Sequence, residues 1–156
     1  MKSIIAILIC ISICSCTKKG TMAFAEGKSK CMGVELDGSQ TLQAYGKGRN
    51  RRDAVHQAEK NAVRDVVFNG ICDGKGCECR PVVGGVNDNL MRSPYFNDFF
   101  KDQGEFKDYV DHSDERLGRR IFRPVYRASS GVAVNAIVTV DRSGLIEKLK
   151  KDEIIK

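Results

Sequence analysis

The chain predicts an α+β fold in which helices pack on a small, mainly antiparallel sheet stapled by disulfides. Three observations lead there. Residues 132–140 alternate Val132, Val134, Ala136, Val138 and Val140 with Ala133, Asn135, Ile137 and Thr139, the period of a strand with one covered face. Between residues 54 and 67 the apolar positions instead recur every three or four, as on an amphipathic helix. Strand and helix signals then follow one another without regular βαβ alternation, which favours helices laid on an antiparallel sheet.

The chain opens on IIAILICISICSC at residues 4–16, and the apolar run Ile4–Ile13 is ten residues long behind the single charge of Lys2. A span needs roughly 20 apolar residues, so this run is too short to cross a bilayer and reads as a signal peptide. Ile13-Cys14-Ser15-Cys16 resembles the bacterial lipobox, whose final cysteine is acylated and becomes the new N-terminus. Residues 1–15 are therefore expected to be a lipoprotein signal peptide and Cys16 the lipidation site; an ordinary cleavable signal is the alternative. Its removal takes the 156 residues to 141, enough for one domain. It also takes the formal charge from +6 to +5, because Lys2 leaves. An exported basic protein meets little nucleic acid, so a membrane face or an acidic protein partner is expected instead.

Residues 16–37 read as the lipidated N-terminus and a flexible tether, since TKKGTMAFAEGKSK is polar and lacks sustained periodicity. The single domain is expected over 38–156. Its first strand, TLQAYGKG at 41–48, sets Leu42, Ala44 and Gly46 against Gln43, Tyr45 and Lys47. A turn follows in GKGRNRR, which lacks the ending of a phosphate-binding loop. Asn50 is placed to cap the next helix, with Asp53 three residues on. That helix carries Ala54, Val55, Ala58, Ala62, Val63, Val66 and Val67 and runs to about Asn69, where Gly70 stops it. Alanines at 54, 58 and 62 keep one edge thin, allowing close approach to a sheet. Arg51, Arg52, Gln57, Glu59, Lys60 and Arg64 are expected to face solvent.

Four cysteines lie downstream of Cys16, namely Cys31, Cys72, Cys77 and Cys79, an even count that suggests two disulfides in an oxidising compartment. A bond between Cys77 and Cys79 would be strained across one residue, so each is expected to pair with Cys72 or Cys31. One bridge closes a small loop and the other staples the N-terminal segment, worth roughly 3–4 kcal/mol by loop entropy. A zinc site is the competitor, but CxxxxCxC is poor spacing for one. No metal and no other cofactor is expected.

Ser93-Pro94 marks a helix start, with Phe96, Phe99 and Phe100 on one face for core packing. The segment 101–118 is charge-rich and reads as an exposed excursion that includes an edge strand. RRIFRPVYRASSGVAVNAIVTVD forms two strands about a 129–131 turn, and Pro124 confines the first to an edge or bulge. The final helix starts near Ser143, with Leu145, Ile146 and Leu149 inward and Lys148, Lys150 and Lys151 outward.

No catalytic residue is expected. His56 and His112 lack the setting of a general base, and Asp108, Asp111, Asp114 and Glu115 read as a surface acidic cluster without calcium-loop spacing. The candidates for partner binding are Lys107, Tyr109 and Asp111 in the excursion and Arg123 and Arg127 on the edge strand, where a chosen strand could add.

The progression from AYGKG through RRDAVHQAEKNAVRDVVF to VAVNAIVTVD and LIEKLKK resembles the small envelope domains of the LPP20 lipoprotein and FlgT N-terminal type. Those domains have a strand ending in glycine, a helix with alanines every four residues, and a later strand feeding a terminal helix. Lipobox, domain and cysteine loop together are similar to the TssQ-type lipoproteins of the Bacteroidota-type type VI secretion membrane complex. That resemblance implies a non-catalytic, periplasm-facing subunit that docks a secretion machine to the envelope. Thr17-Lys18-Lys19 lacks both the aspartate of inner-membrane retention and the acidic run of surface export. By the same analogy, the protein belongs on the outer membrane's inner leaflet.

Overall fold

The computed structural model describes residues 28–84, 88–112, 126–128 and 131–156. Cys16, the apolar run before it and Arg123 lie outside the described residues. Within them the fold is α+β, with helices on an antiparallel sheet and two disulfides.

The sheet is assembled from β1 (Lys30–Val34), β2 (Gln40–Gly48), β3 (Val110–His112), β4 (Tyr126–Ala128) and β5 (Gly131–Val140), all of whose pairings are antiparallel. Their order is β1-β2-β5-β3, and β4 pairs with the opposite end of β5 from β3. The central pair β2–β5 runs unbroken from Gln40 opposite Val140 to Gly48 opposite Val132. Both strands alternate as expected, so Leu42, Ala44 and Gly46 share one buried face with Val134, Ala136, Val138 and Val140.

Helix α1 (Arg51–Arg64) covers that face. Asn50 caps it by accepting from the Asp53 N–H at 3.0 Å, while Asp53 itself pairs with Arg49. Contact is closest at Gly46, where a Cβ would overlap the Ala54 carbonyl oxygen and the Ala58 nitrogen. Gly46 and Gly48 therefore belong to the strand and serve its packing against the helix; the turn expected in GKGRNRR is confined to Arg49 and Asn50.

From Asp65 to Asn69 the helix widens into a π turn and ends at Gly70, whose φ of 70° suits glycine. The Val66 and Val67 carbonyls accept from the N–H groups of Val82 and Val83, so the chain leaving the cysteine loop docks on this turn. Asp65 is buried and accepts from Ser29 N at 2.9 Å, Ser29 Oγ at 2.7 Å and Asn69 Nδ2 at 2.8 Å.

These contacts correct the boundary expected at 38. The folded body includes Ser29 and strand β1, because tertiary partners order a segment whose own pattern is too short to read. Cys31 bonds Cys77 across 46 residues, and Cys72 bonds Cys79. Thus the four sulfurs expected to pair do so, and none of them is left as a thiolate for zinc.

Helices α2 (Asp88–Met91) and α3 (Pro94–Phe99) lead to a 3-10 helix at Glu105–Tyr109. Ser93 caps α3, accepting from Phe96 N, and Phe96 and Phe99 are buried as expected while Phe100 is half-buried. Of the excursion expected at 101–118, residues 113–118 lie outside the described residues, and 101–111 are only partly exposed. Phe106 drops into the core and Gly104 is buried, so this segment wraps the flank of α1.

The wrap explains a second correction, because Glu59, expected in solvent, is buried. At about 100° per residue it lies around the axis between Ala62 and Val63, inside an arc widened by sheet on one side and aromatics on the other. His56 meets the Phe106 ring edge-on with centroids 5.6 Å apart, and Lys60 pairs with Asp102 at 3.1 Å. Helix α4 (Arg142–Lys151) closes the fold, capped by Asp141 and burying Leu145 and Leu149.

Candidate functional site

A cleft of about 500 Å³ opens between α3, the turn at 101–104, the 3-10 helix and the end of α4. Local sequence builds its walls. Pro94 and the Ser93 cap start α3 so that Phe96 and Phe99 anchor it in the core while Tyr95 stays half-buried. A Cβ at Gly104 would overlap the Phe99 carbonyl oxygen, so glycine lets the next turn fold back against α3. Phe106 then pins the 3-10 helix, leaving Glu105 at the rim.

Four side chains form a connected polar row. Tyr95 Oη donates to Asp152 Oδ2 at 2.6 Å, and Lys148 Nζ lies 3.1 Å from the same oxygen and 2.7 Å from Glu105 Oε2. Lys148, expected to point outward, is thus held between two carboxylates, because the 3-10 helix crosses the end of α4.

Burial, then the bond to Asp152, raises the Tyr95 phenol above its ordinary value. Hydrogen bonds to Glu105 and then Asp152 raise the Lys148 ammonium. Hydrogen bonds from Tyr95 and then Lys148 lower Asp152. Each shift moves the group further from neutrality, so near pH 7 the row is a fixed pattern of phenol, ammonium and carboxylate. It can orient a polar ligand, whereas proton transfer needs a group poised near the working pH.

Of the partner-binding candidates, Lys107 and Tyr109 lie beside this cleft, and Asp111 follows two residues on in β3. Lys107 donates to Gln103 Oε1 at 3.3 Å, and Tyr109 stacks on Phe99 with centroids 6.2 Å apart. Burial raises its phenol too. Asp111 is exposed on β3, opposite Thr139. Arg127 lies on β4 opposite Val132, along the same edge of β5, and Arg123 is outside the described residues.

Sequence reasoning did not single out Tyr95, Glu105 or Asp152. Its one available signal was Lys148 four residues before Asp152 on a helix. Among the described residues, no three His, Cys, Asp or Glu side chains gather to hold a metal ion, and no helix is long and apolar enough to cross a membrane.

The cysteine loop is clamped from the other side. Buried Arg142 donates through Nε to Glu78 Oε2 and through Nη2 to the Arg80 carbonyl, both at 3.0 Å. This joins the start of α4 to the disulfide-closed loop. Comparison with protein-family models, with curated proteins and with solved structures finds no match to this chain.

Proposed function

We propose that this protein is a lipid-anchored envelope protein that acts as a non-catalytic assembly or docking subunit of a membrane-associated complex, type VI secretion being the complex the resemblance suggests. The observation that carries the reading is Ile13-Cys14-Ser15-Cys16 at the end of a ten-residue apolar run. Acyl chains on Cys16 hold the folded body at a membrane, the outer membrane's periplasmic leaflet by analogy with the residues that follow. Two disulfides suit an oxidising compartment. The edge carrying Lys107, Tyr109, Asp111 and Arg127 is the surface offered to another envelope protein. No nucleic acid or cofactor enters this reading.

Mass spectrometry of the mature N-terminus tests it, together with crosslinking in the native envelope. The expected result is an acylated Cys16 at the first position and a protein complex of fixed stoichiometry. An unprocessed chain recovered freely soluble from the cytosol overturns the reading.

The cleft favours a second reading, a periplasmic lipoprotein that binds a small polar ligand, metal ion or peptidoglycan fragment. Its volume of about 500 Å³ and the row Tyr95, Asp152, Lys148 and Glu105 suit a small polar molecule. An isolated monomer that retains a glycan or metal through purification turns the assignment to this reading.

A further inference from the structure

Met32 and Val34 on β1 are 55% and 47% exposed, and Leu36 in the turn after it is fully exposed. Three large apolar side chains within five residues form a small knuckle at one edge of the sheet. β1 is the outer strand there, so an added strand would be the ordinary occupant. The ladder such a strand needs is broken. The Cys31 N–H is committed to the Asp73 carbonyl at 2.7 Å, Cys31 also bridges Gly74, and the register slips between Cys31 and Gly33. Val34 meanwhile lies beside Gly76 of the same loop. An occupant that accepts apolar side chains without backbone partners fits this edge better.

The chain outside the described residues supplies one. From Cys16 to Lys28 it spans twelve residues, at most about 3.5 Å each, or roughly 40 Å in all. A lipid on Cys16 would therefore hold Lys28, at the start of the body, within that distance of a bilayer and the knuckle four to eight residues beyond it, where a weak apolar contact gains from the high effective concentration. Lys28, Lys30 and Lys75 are exposed nearby, but so are Glu35, Asp37 and Asp73. The charges offset one another, and the contact is apolar in character.

We propose that Met32, Val34 and Leu36 enter the headgroup boundary of the bilayer that holds acylated Cys16, so that the body rests on the membrane by its β1 edge. This deepens the anchoring reading above and rests on it. β3 and β4 lie on the far side of β5 from β1 and β2, which leaves the candidate partner edge and the cleft beside it directed away from the lipid.

The chain contains no tryptophan, so Leu36→Trp adds a single reporter at an open position. The full-length lipidated variant, in vesicles of phosphatidylethanolamine and phosphatidylglycerol, is compared with the same vesicles brominated along the acyl chains. The expected result is blue-shifted emission and loss of intensity on bromination, with no loss for Lys101→Trp at the cleft. Flotation of the vesicles and the mass of the N-terminal peptide are read on the same samples. An acylated, co-floating chain whose reporter at 36 emits as in water overturns the membrane contact and leaves the anchor standing. Blue-shifted emission without quenching places protein over the knuckle and overturns it as well. Quenching without acylation keeps the contact and overturns the anchor; an unacylated, unquenched chain overturns both.

Discussion

A methyl group at Gly46 would overlap backbone atoms of Ala54 and Ala58, which cannot swing aside as a side chain can. Gly46→Ala is therefore expected to lower stability by about 3 kcal/mol, the upper end of the usual cost of overpacking, because the helix backbone must move. At Gly33 a Cβ meets nothing within 4 Å, so Gly33→Ala is expected to stay within about 0.5 kcal/mol of the parent. Urea denaturation of the pair checks both, and equal losses would remove the close-contact argument. The cleft makes a pH prediction at the same scale. Because Asp152 is held below its ordinary 3.8, its contribution is present above that value and disappears as pH falls through the folded pKa. Tyr95 and Lys148 are raised from 10.0 and 10.5, so theirs is full below those values and fades in strong alkali. A carboxyl carbon NMR titration is expected to place Asp152 below the usual carboxylate range, and Tyr95→Phe to bring it back toward that range. No movement in the variant would show that the phenol bond does not hold the carboxylate. Glu59 marks what single residues conceal: a charged letter beside Ala58 gave no sign that a second layer covers that flank of the helix.

At the scale of elements, the two disulfides act on different lengths of chain. Cys31–Cys77 closes 46 residues and Cys72–Cys79 only 7. Loop entropy then gives about 4 kcal/mol for the first and about 2.5 kcal/mol for the second. Replacing Cys31 and Cys77 by serine is expected to cost more in a denaturant titration than replacing Cys72 and Cys79. It should also speed amide exchange in β1, which the bond ties to the cysteine loop. Equal costs would mean that loop length does not set the contribution. β1 has a second tether through Ser29 and Asp65. Asp65→Ala removes an acceptor from three donors and is expected to cost about 2–3 kcal/mol, with exchange rising first at Ser29 and Lys30. β2, α1, β5 and α4 were legible because each carries its own period and cap. β1 was not, because one buried side chain in five residues makes no pattern.

For the molecule as a whole, the anchoring proposed above makes the lipid on Cys16 the decisive feature. Cys16→Ser is expected to leave the chain without its acyl mass and to move it from the membrane to the soluble fraction, with its circular dichroism unchanged. A variant that still sediments with membranes would show that something other than the lipid retains it. The described edges divide the labour this reading requires. The β1 edge carries exposed apolar side chains and is closed to strand pairing at Cys31, while β3, which follows the 3-10 helix at the cleft, carries Asp111, and β4, at the other end of β5, carries Arg127.

From the letters alone came the α+β class, the central strands, the main helix with its cap and stop, and which four cysteines pair off, because periodicity, capping and cysteine count are properties of adjacent residues. Tertiary structure alone decided which sulfur meets which, that Ser29 and β1 belong to the body, and that Glu59 is covered. It also decided that Tyr95, Glu105, Lys148 and Asp152 converge. Those four are drawn from three separate elements spread over 57 residues from Tyr95 to Asp152, and only the packing of α3, the 3-10 helix and α4 around one aromatic core brings them within bonding distance.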